Sequence, residues 1–446
     1  MMTAHLLRNT PLEDQLTEAR QTYAQRRPKS AEAHASASVH LPGGNTRTVL
    51  YHGPFPLRAE RGEGAYLYDV DGRKYLNLLG EYTAGVFGHS HPVIQAAVHQ
   101  ALSGGVNLGA HSKAEVQLAD LVCERFPALE KVRFTNSGTE ANLMAVSTAR
   151  HVTKRSKVMV FRGGYHGGLL YFGAKPDGGA GIPINAPFEY VIAPFNDMDA
   201  TRDLIRQSGL ELSCVLMEPM LGSSGCIPAT PEFLSMVREE TKACGALLIF
   251  DEVMTSRFGA NGAGALYGVT PDLMTLGKWV GGGMSFGAFG GRDDIMAIYD
   301  PTRIDAMPHA GTFNNNALTM NAGVAALSEI FRSEEAEGLH ERGNRLRNRL
   351  NSLFAEHDVA MCVSGEGSLM NVHGFAGPVK QVDDLARSRD ELKELLFLDL
   401  LEQGFYIARR GFIALSIVVT DQELDAFVTA VETSVLRYKS VLPPRL

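Results

Sequence analysis

Few cysteines, no long apolar run and no basic block narrow what this 446-residue chain can be. Its five cysteines, Cys123, Cys214, Cys226, Cys244 and Cys362, are scattered and odd in number, with no Cys-x-x-Cys pair. That argues against a disulfide framework and for a reducing compartment. No segment is apolar for long enough to span a bilayer. Met1 to Arg20 intersperses charges without a long apolar core, so the expected location is the cytoplasm. With 42 Lys and Arg against 50 Asp and Glu, the formal net charge is -8, which disfavours nucleic acid and anionic membrane as partners. An anionic substrate must therefore meet local positive charge. Internal repeats and low-complexity tracts are absent as well. What remains, 45% hydrophobic and 21% charged, is ordinary for a soluble globular enzyme with a large core and room for a second, smaller domain.

The organisation follows from periodicity. Residues 11 to 27 read as a charged helical arm ending near Pro28, and Leu41 to Arg47 as a loop rich in glycine and proline. Asp71-Gly72 between two strand-like runs reads as a hairpin. From Pro92 to about Met320, short apolar runs alternate with helical segments: Val132 to Thr135, Val158 to Phe161, Cys214 to Met217 and Leu247 to Phe250. Such alternation implies an α/β fold, a mostly parallel central sheet flanked by helices. Beyond about residue 335 the pattern changes to helices, with apolar faces at Leu346, Leu350, Leu353 and Phe354. A second apolar face, at Leu424, Phe427, Val428, Val431 and Val435, follows the capping box Thr420 to Glu423. A strand-like run, Phe412 to Val419, lies between them. The expected division is an N-terminal arm with part of a small domain over 1–80, a large domain over 81–334 and an α+β small domain over 335–446.

A lysine paired with a strand-end carboxylate, and three further segments, carry chemistry. Lys278 sits in Asp272-Leu-Met-Thr-Leu-Gly-Lys-Trp-Val-Gly-Gly-Gly. Upstream, the run Leu247 to Phe250 ends in Asp251-Glu252-Val253. A lysine can hold pyridoxal phosphate as a Schiff base, and a strand-end carboxylate can pair with its pyridinium nitrogen to strengthen the electron sink. Asn136-Ser137-Gly138-Thr139-Glu140 opens a helical segment, where free amides, the helix dipole, two hydroxyls and a glycine suit a phosphate; taken alone it is an ordinary N-cap. Gly163-Gly164-Tyr165-His166-Gly167-Gly168 is a turn that presents an aromatic ring able to stack on a pyridine, or merely to cover the core. The last, Ala310-Gly311-Thr312-Phe313-Asn314-Asn315-Asn316, is a polar loop offering hydroxyl and amide donors. His89-Ser90-His91 lacks a carboxylate or thiol at ligand spacing and reads as a turn before a helix starting at Pro92, so no metal is expected.

In this order and spacing the segments resemble the class III, fold type I aminotransferases, from roughly Leu41 to the C-terminus. The resemblance implies Lys278 as the Schiff-base lysine and Asp251 as the partner of the pyridinium nitrogen. It implies Ser137, Gly138 and Thr139 as the phosphate cradle, Tyr165 as the ring-stacking residue and Val253 packed behind the ring. Thr312 becomes a phosphate ligand donated by the other subunit of a homodimer. The segments Glu81 to Gly85, Asp251 to Arg257, Met284 to Arg292 and Gly311 to Asn316 are similar to those of the β-phenylalanine aminotransferases, which move the amino group of aromatic β-amino acids to 2-oxoglutarate or pyruvate. There Arg47 matches the arginine that holds the β-amino acid carboxylate, and Arg410 the one implicated in substrate or acceptor binding; with Arg409 beside it, either is open. The nearest competitor is glutamate-1-semialdehyde aminomutase, against which stand Phe-Asn-Asn-Asn after Thr312 and Met-Leu-Gly-Ser-Ser-Gly after Pro219. An amine:pyruvate transaminase is a further alternative.

Overall fold

Four apolar runs form strands of one sheet, three of them side by side and buried on both faces. The computed structural model describes residues 3–168, 170–173 and 189–445, with side chains described from Leu12 onward. Lys131–Thr135, Lys157–Phe161, Leu212–Met217 and Leu247–Asp251 are strands. Alternate residues go to opposite layers, as the pleat requires. Val158, Val160, Cys214, Leu216 and Ile249 meet the helix Gly138–Thr153 through Ala141, Ala145 and Ala149. Met159, Phe161, Val215, Met217, Leu248 and Phe250 meet Ile205 of Met198–Ser208 and Phe233, Leu234 and Val237 of Pro231–Cys244. Side-chain caps open all three helices: Ser137, Asp197 and Thr230 each accept an amide hydrogen from the first turn.

The central sheet has seven strands, in the order Lys131–Thr135, Gly287–Gly291, Leu273–Gly277, Leu247–Asp251, Leu212–Met217, Lys157–Phe161, Glu189–Ala193. Gly287–Gly291 runs against both its neighbours, and the other pairings are parallel. This reversed strand, Gly-Ala-Phe-Gly-Gly, has no β-branched residue to announce it. Its glycines answer to crowding: a Cβ at Gly287 would lie 2.1 Å from the Ser137 carbonyl oxygen, and one at Gly290 would lie 2.2 Å from that of Lys131.

The C-terminal part packs the helices Ser333–Glu356, Asp390–Glu402 and Asp421–Arg437 with an antiparallel sheet of Cys362–Glu366, Leu369–His373 and Phe412–Ala414. The capping box at Thr420 forms as expected, and Leu346, Leu350, Leu353 and Phe354 are buried. The run Phe412 to Val419 is a strand only as far as Ala414. Past that point Leu415 donates to Ser368 and Ile417 to Val86, and buried Arg257 donates to the Leu415 carbonyl, so the chain turns in against residues of the central region. The apolar composition of this stretch reflects burial, not sheet pairing.

At the N-terminal side, Tyr66–Asp69 and Lys74–Asn77 form the hairpin expected at Asp71-Gly72, with Gly72 at φ +84°. With Ala59–Glu63 they join Phe405–Tyr406 in one four-stranded sheet, tying the two ends of the chain together. The arm comprises two helices, Thr3–Gln25 and Pro28–Ala37. Asp71 caps the second by accepting from the amides of Lys29 at 2.8 Å and Ser30 at 3.0 Å. Among the described residues, no helix is long and apolar enough to cross a membrane.

Candidate active site

The parallel strands deliver their C-terminal ends to one edge of the sheet, where open α/β sheets bind ligands. Leu247–Asp251 brings Asp251 there, and the neighbouring Leu273–Gly277 brings Lys278. Lys278 sits at φ +56°, a left-handed conformation that costs a non-glycine residue about 1–3 kcal/mol and persists only where its surroundings hold it. The half-buried lysine opens onto a cavity with two lobes. Both lobes share Ala84, Lys278 and Met284.

Asp251 and Val253 line the smaller lobe, about 270 Å³, together with Ser137, Gly138, Thr139 and Tyr165. Asp251 is buried, with one oxygen accepting from Asn142 Nδ2 and His166 Nδ1, both at 2.8 Å, and the other from the Val253 amide at 3.0 Å, which leaves that second oxygen able to accept once more. His166 therefore carries its proton on Nδ1. Asn142 is oriented in turn by Thr275 Oγ1, which donates to its Oδ1 at 2.8 Å. These interactions fix the plane of the Asp251 carboxylate before any ligand arrives.

The helix Gly138–Thr153 points its N-terminus into the same lobe. Ser137 Oγ is occupied in capping the Glu140 amide at 3.2 Å, whereas the Gly138 and Thr139 amides, at the first two helical positions, donate to no described residue. Two free amides and the positive end of the dipole make an anion site. Gly138 is required there, because a Cβ would lie 2.9 Å from Val253 Cγ2. Tyr165 is 41% exposed at the mouth of the lobe, its amide held by Glu218. The donor set fits pyridoxal phosphate: an amine for its aldehyde, a carboxylate for its ring nitrogen and a helix N-terminus for its phosphate.

Burial pulls the Lys278 amine down to about 8; Asp251 and Glu218 oppose the shift, and Arg47 and Arg257 add to it. Below that pH the amine is mostly protonated and cannot attack an aldehyde; above it the amine is mostly neutral. Recombination of the cofactor-free protein with pyridoxal phosphate should therefore quicken by roughly tenfold per pH unit up to about pH 8, then level off. Stopped-flow absorbance measures this, and a rate still climbing between pH 9 and 10 would show that the lysine is not depressed.

Arg47 is exposed, lines the larger lobe of about 690 Å³ and has its guanidinium 5.8 Å from the centre of the Tyr82 ring. Arg410 lies 5.3 Å from the same ring and donates from Nη1 to the Ser223 carbonyl at 2.6 Å. Arg409 turns the other way, donating at 2.7 Å to Glu394, a buried carboxylate that Arg20 also binds. Tyr82 between the two arginines stacks on Phe412, with ring centroids 5.4 Å apart and 21° between planes. It belongs to a run, Gly80 to Thr83, in which every residue is left-handed, three of them not glycine. Such concentrated strain marks a segment whose side chains are held in place for a purpose.

Thr312 lies in an exposed loop outside both lobes of its own chain, with its carbonyl accepting from Asn107 Nδ2 at 3.0 Å. Among the described residues the loop is hydrogen-bonded to the site through Asn314, whose Oδ1 accepts from Asn136 Nδ2 at 2.9 Å. His89 of the His-Ser-His segment faces the larger lobe and meets Asn77 Nδ2 at 2.9 Å.

Asn142, Glu218 and Tyr82 were not singled out by sequence. Glu218 had a usable signal, since it follows a buried strand just as Asp251 ends one. Asn142 had a weaker one, four residues into the helix from Gly138 and so on the same face. Burial raises Glu218 to about 7; His166 opposes the shift and Asp251 adds to it. Glu252, the next residue after Asp251, points away and is raised to about 7 by burial; it is held by the amides of Ala263 at 2.7 Å and Gly264 at 2.8 Å.

A sheet-edge lysine, a locked carboxylate and an open helix N-terminus on this topology define a pyridoxal phosphate enzyme of fold type I. The family Aminotransferase class-III matches residues 50–435, and the chain belongs to it. The chain is 48% identical over 432 residues to a β-phenylalanine transaminase of Variovorax paradoxus, covering 97% of this chain and 98% of that protein. The crystal structure of a β-phenylalanine aminotransferase from that organism superposes with a TM-score of 0.95, covering 98% of this chain and 100% of that one. A glutamate-1-semialdehyde 2,1-aminomutase of Desulforudis audaxviator is 36% identical, over 91% of this chain and 96% of that protein. The structure of an ω-transaminase from Sphaerobacter thermophilus, 38% identical, has a TM-score of 0.86 and covers 92% and 98% of the two chains. The chain is thus an aminotransferase that uses pyridoxal phosphate, with an amino donor and a keto acid acceptor as its substrates.

Proposed function

We propose that this aminotransferase takes an aromatic β-amino acid such as 3-amino-3-phenylpropanoate as donor and 2-oxoglutarate or pyruvate as acceptor, working as a cytoplasmic homodimer. The observation that carries the reading is the pair Arg47 and Arg410 flanking Tyr82 beside the lysine cavity. In a β-amino acid the amino-bearing carbon lies one bond further from the carboxylate than in an α-amino acid. A cationic anchor set back from Lys278, next to Tyr165 and to Tyr82, which buried Phe412 backs, suits that spacing and an aryl group. The relative of Variovorax paradoxus, named for β-phenylalanine, supports the same donor.

When bound, the cofactor supplies the electron sink that spreads the negative charge left when the amino-bearing carbon loses its proton. Lys278 Nζ takes that proton and later returns it, acting as base and then acid. Asp251 holds a proton at the ring nitrogen, with Asn142 and His166 keeping its carboxylate in plane. The Gly138 and Thr139 amides grip the phosphate, Val253 backs the ring and Tyr165 covers it. Arg47 and Arg410 hold carboxylates, and Arg409, spent on Glu394, does not.

The homodimer reading draws on exposed apolar side chains near the Thr312 loop. Leu102, Leu108 and Phe313 are each at least half exposed, and the Ala317 amide donates to Val106 at 2.9 Å, so the two segments adjoin. Across a dimer interface such a patch would be covered, and Thr312 would reach the phosphate of the partner subunit's site.

The test is a half-reaction. Purified pyridoxal-form protein is mixed with racemic 3-amino-3-phenylpropanoate without any keto acid, and cofactor absorbance is followed. Conversion to the pyridoxamine form, reversed by 2-oxoglutarate or pyruvate, is the expected result. No change, together with isomerisation of glutamate-1-semialdehyde without an external acceptor, would make the chain an aminomutase. Arg47→Ala should raise the donor KM by roughly 10- to 100-fold, the loss of a charge-assisted pair, while cofactor binding is retained. Steady-state kinetics check this, and an unchanged KM would remove Arg47 from the site.

A further inference from the structure

Glu218 lies at the end of Leu212–Met217, one strand over from Asp251, and the register Phe250 to Met217 sets the two carboxylates side by side. It is 4% exposed and divides its oxygens between two loops. One accepts from the Tyr165 amide at 2.9 Å, the other from the Gly222 amide at 3.0 Å. Gly222 opens the tip of a hairpin, Met220–Leu221 with Ile227–Pro228, and a Cβ there would lie 2.4 Å from Met254 Sδ. The tip is fastened on both sides. Ser223 C=O receives Arg410 Nη1 at 2.6 Å, Ser224 Oγ donates to the Gly163 carbonyl at 2.7 Å, and Gly225 C=O receives Ser364 Oγ at 2.5 Å. One short hairpin thus joins the turn bearing Tyr165 to the C-terminal segment bearing Arg410, and Glu218 pins its root to that turn. Arg410 Nε has no described partner, so the guanidinium is placed by the Ser223 carbonyl at the hairpin tip together with the Tyr82 and Phe412 rings beneath it.

We propose that Glu218 is a positioning residue that sets the separation between the Tyr165 ring and the Arg410 guanidinium, and thereby the length of carboxylate substrate the pocket accepts. This rests on the reading of Arg410 as a carboxylate anchor. Both Glu218 oxygens are committed to amides, so its hydrogen bonds act on the two loops; its charge also favours a protonated Lys278, an effect read in kcat and not in 3-phenylpropanoate binding. Glu218→Gln changes little in volume but presents one acceptor oxygen and an amide group that cannot accept, so one of the two ties must break.

The experiment compares the wild-type holoenzyme with Glu218→Gln, Arg410→Ala and the double variant. It reads the visible circular dichroism of the bound cofactor, calorimetric binding of unreactive 3-phenylpropanoate, and KM and kcat separately. Glu218→Gln should keep its cofactor, shift the dichroism band and raise both the 3-phenylpropanoate Kd and the donor KM about tenfold, the worth of one well-placed charged hydrogen bond, with a smaller fall in kcat. The double variant should bind no more weakly than Arg410→Ala alone. Unchanged Kd and KM, or additive losses, would overturn the proposal. If Arg410→Ala binds 3-phenylpropanoate like wild type, the anchor reading fails on its own. A shifted dichroism band in Glu218→Gln then still places Glu218 behind Tyr165, and an unshifted band overturns that too. Should Glu218→Gln not fold, Ser224→Ala cuts another tie of the same hairpin and should show the same KM-weighted loss; wild-type binding in that variant would count against the proposal.

Discussion

Lys278→Ala should lose at least about 10⁴-fold in turnover while still binding pyridoxal phosphate without a covalent bond. Loss of a positioned acid–base group alone removes roughly 10²- to 10⁴-fold, and this side chain also supplies the covalent attachment. The rest of the cradle does not pass through the lysine: the Gly138 and Thr139 amides, Asp251 with its three hydrogen bonds, Val253 and Tyr165 all remain. The half-buried amine also sits in a left-handed backbone and is pulled down to about 8 by burial, so alanine relieves a desolvation cost and the variant should fold. Absorbance after dialysis reads cofactor retention, and single-turnover kinetics read the chemistry. Turnover near that of wild type would remove Lys278 from its assigned role and with it the mechanism above.

Asp251→Asn should lower turnover by roughly 10²- to 10³-fold, the scale seen when one preorganised electrostatic partner is removed. The amide keeps the shape but not the charge, so it no longer favours a proton on the ring nitrogen. It also creates a local conflict. The oxygen that faces Asn142 Nδ2 and His166 Nδ1 accepts from both, and the opposite oxygen faces the Val253 amide. An Asn NH₂ on either side meets a donor, leaving at least one buried group unpaired at about 1–3 kcal/mol. Thermal denaturation of the cofactor-free variant should show that loss separately from the kinetic one. A kinetic defect without any fall in stability would mean the Asn142 and His166 contacts are weaker than their geometry indicates, and wild-type turnover would exclude Asp251 as the ring partner.

What was readable in the chain beforehand was whatever depends on local spacing. Strands buried on both faces announce themselves as short apolar runs, helix starts by Ser137 and Thr420, and the hairpin by Asp71-Gly72, because each follows from a few adjacent residues. The cofactor motifs were legible for the same reason, being contiguous at strand ends. Gly287–Gly291 was not, since its glycines answer to the Ser137 and Lys131 backbone crowding it, and that crowding exists only in the folded sheet. Phe412 to Val419 looked like a long strand because burial and sheet pairing ask for the same apolar residues. Arg409 and Arg410 show the division most sharply. By itself the sequence determined that two adjacent arginines precede an apolar run and that a carboxylate substrate needs a local cation. Only the tertiary structure decided that Arg409 faces buried Glu394 while Arg410 faces Tyr82 and Ser223, because the partners that separate them come from residues 15 to 328 positions away and meet only when the sheet, the hairpin and the C-terminal helices pack together.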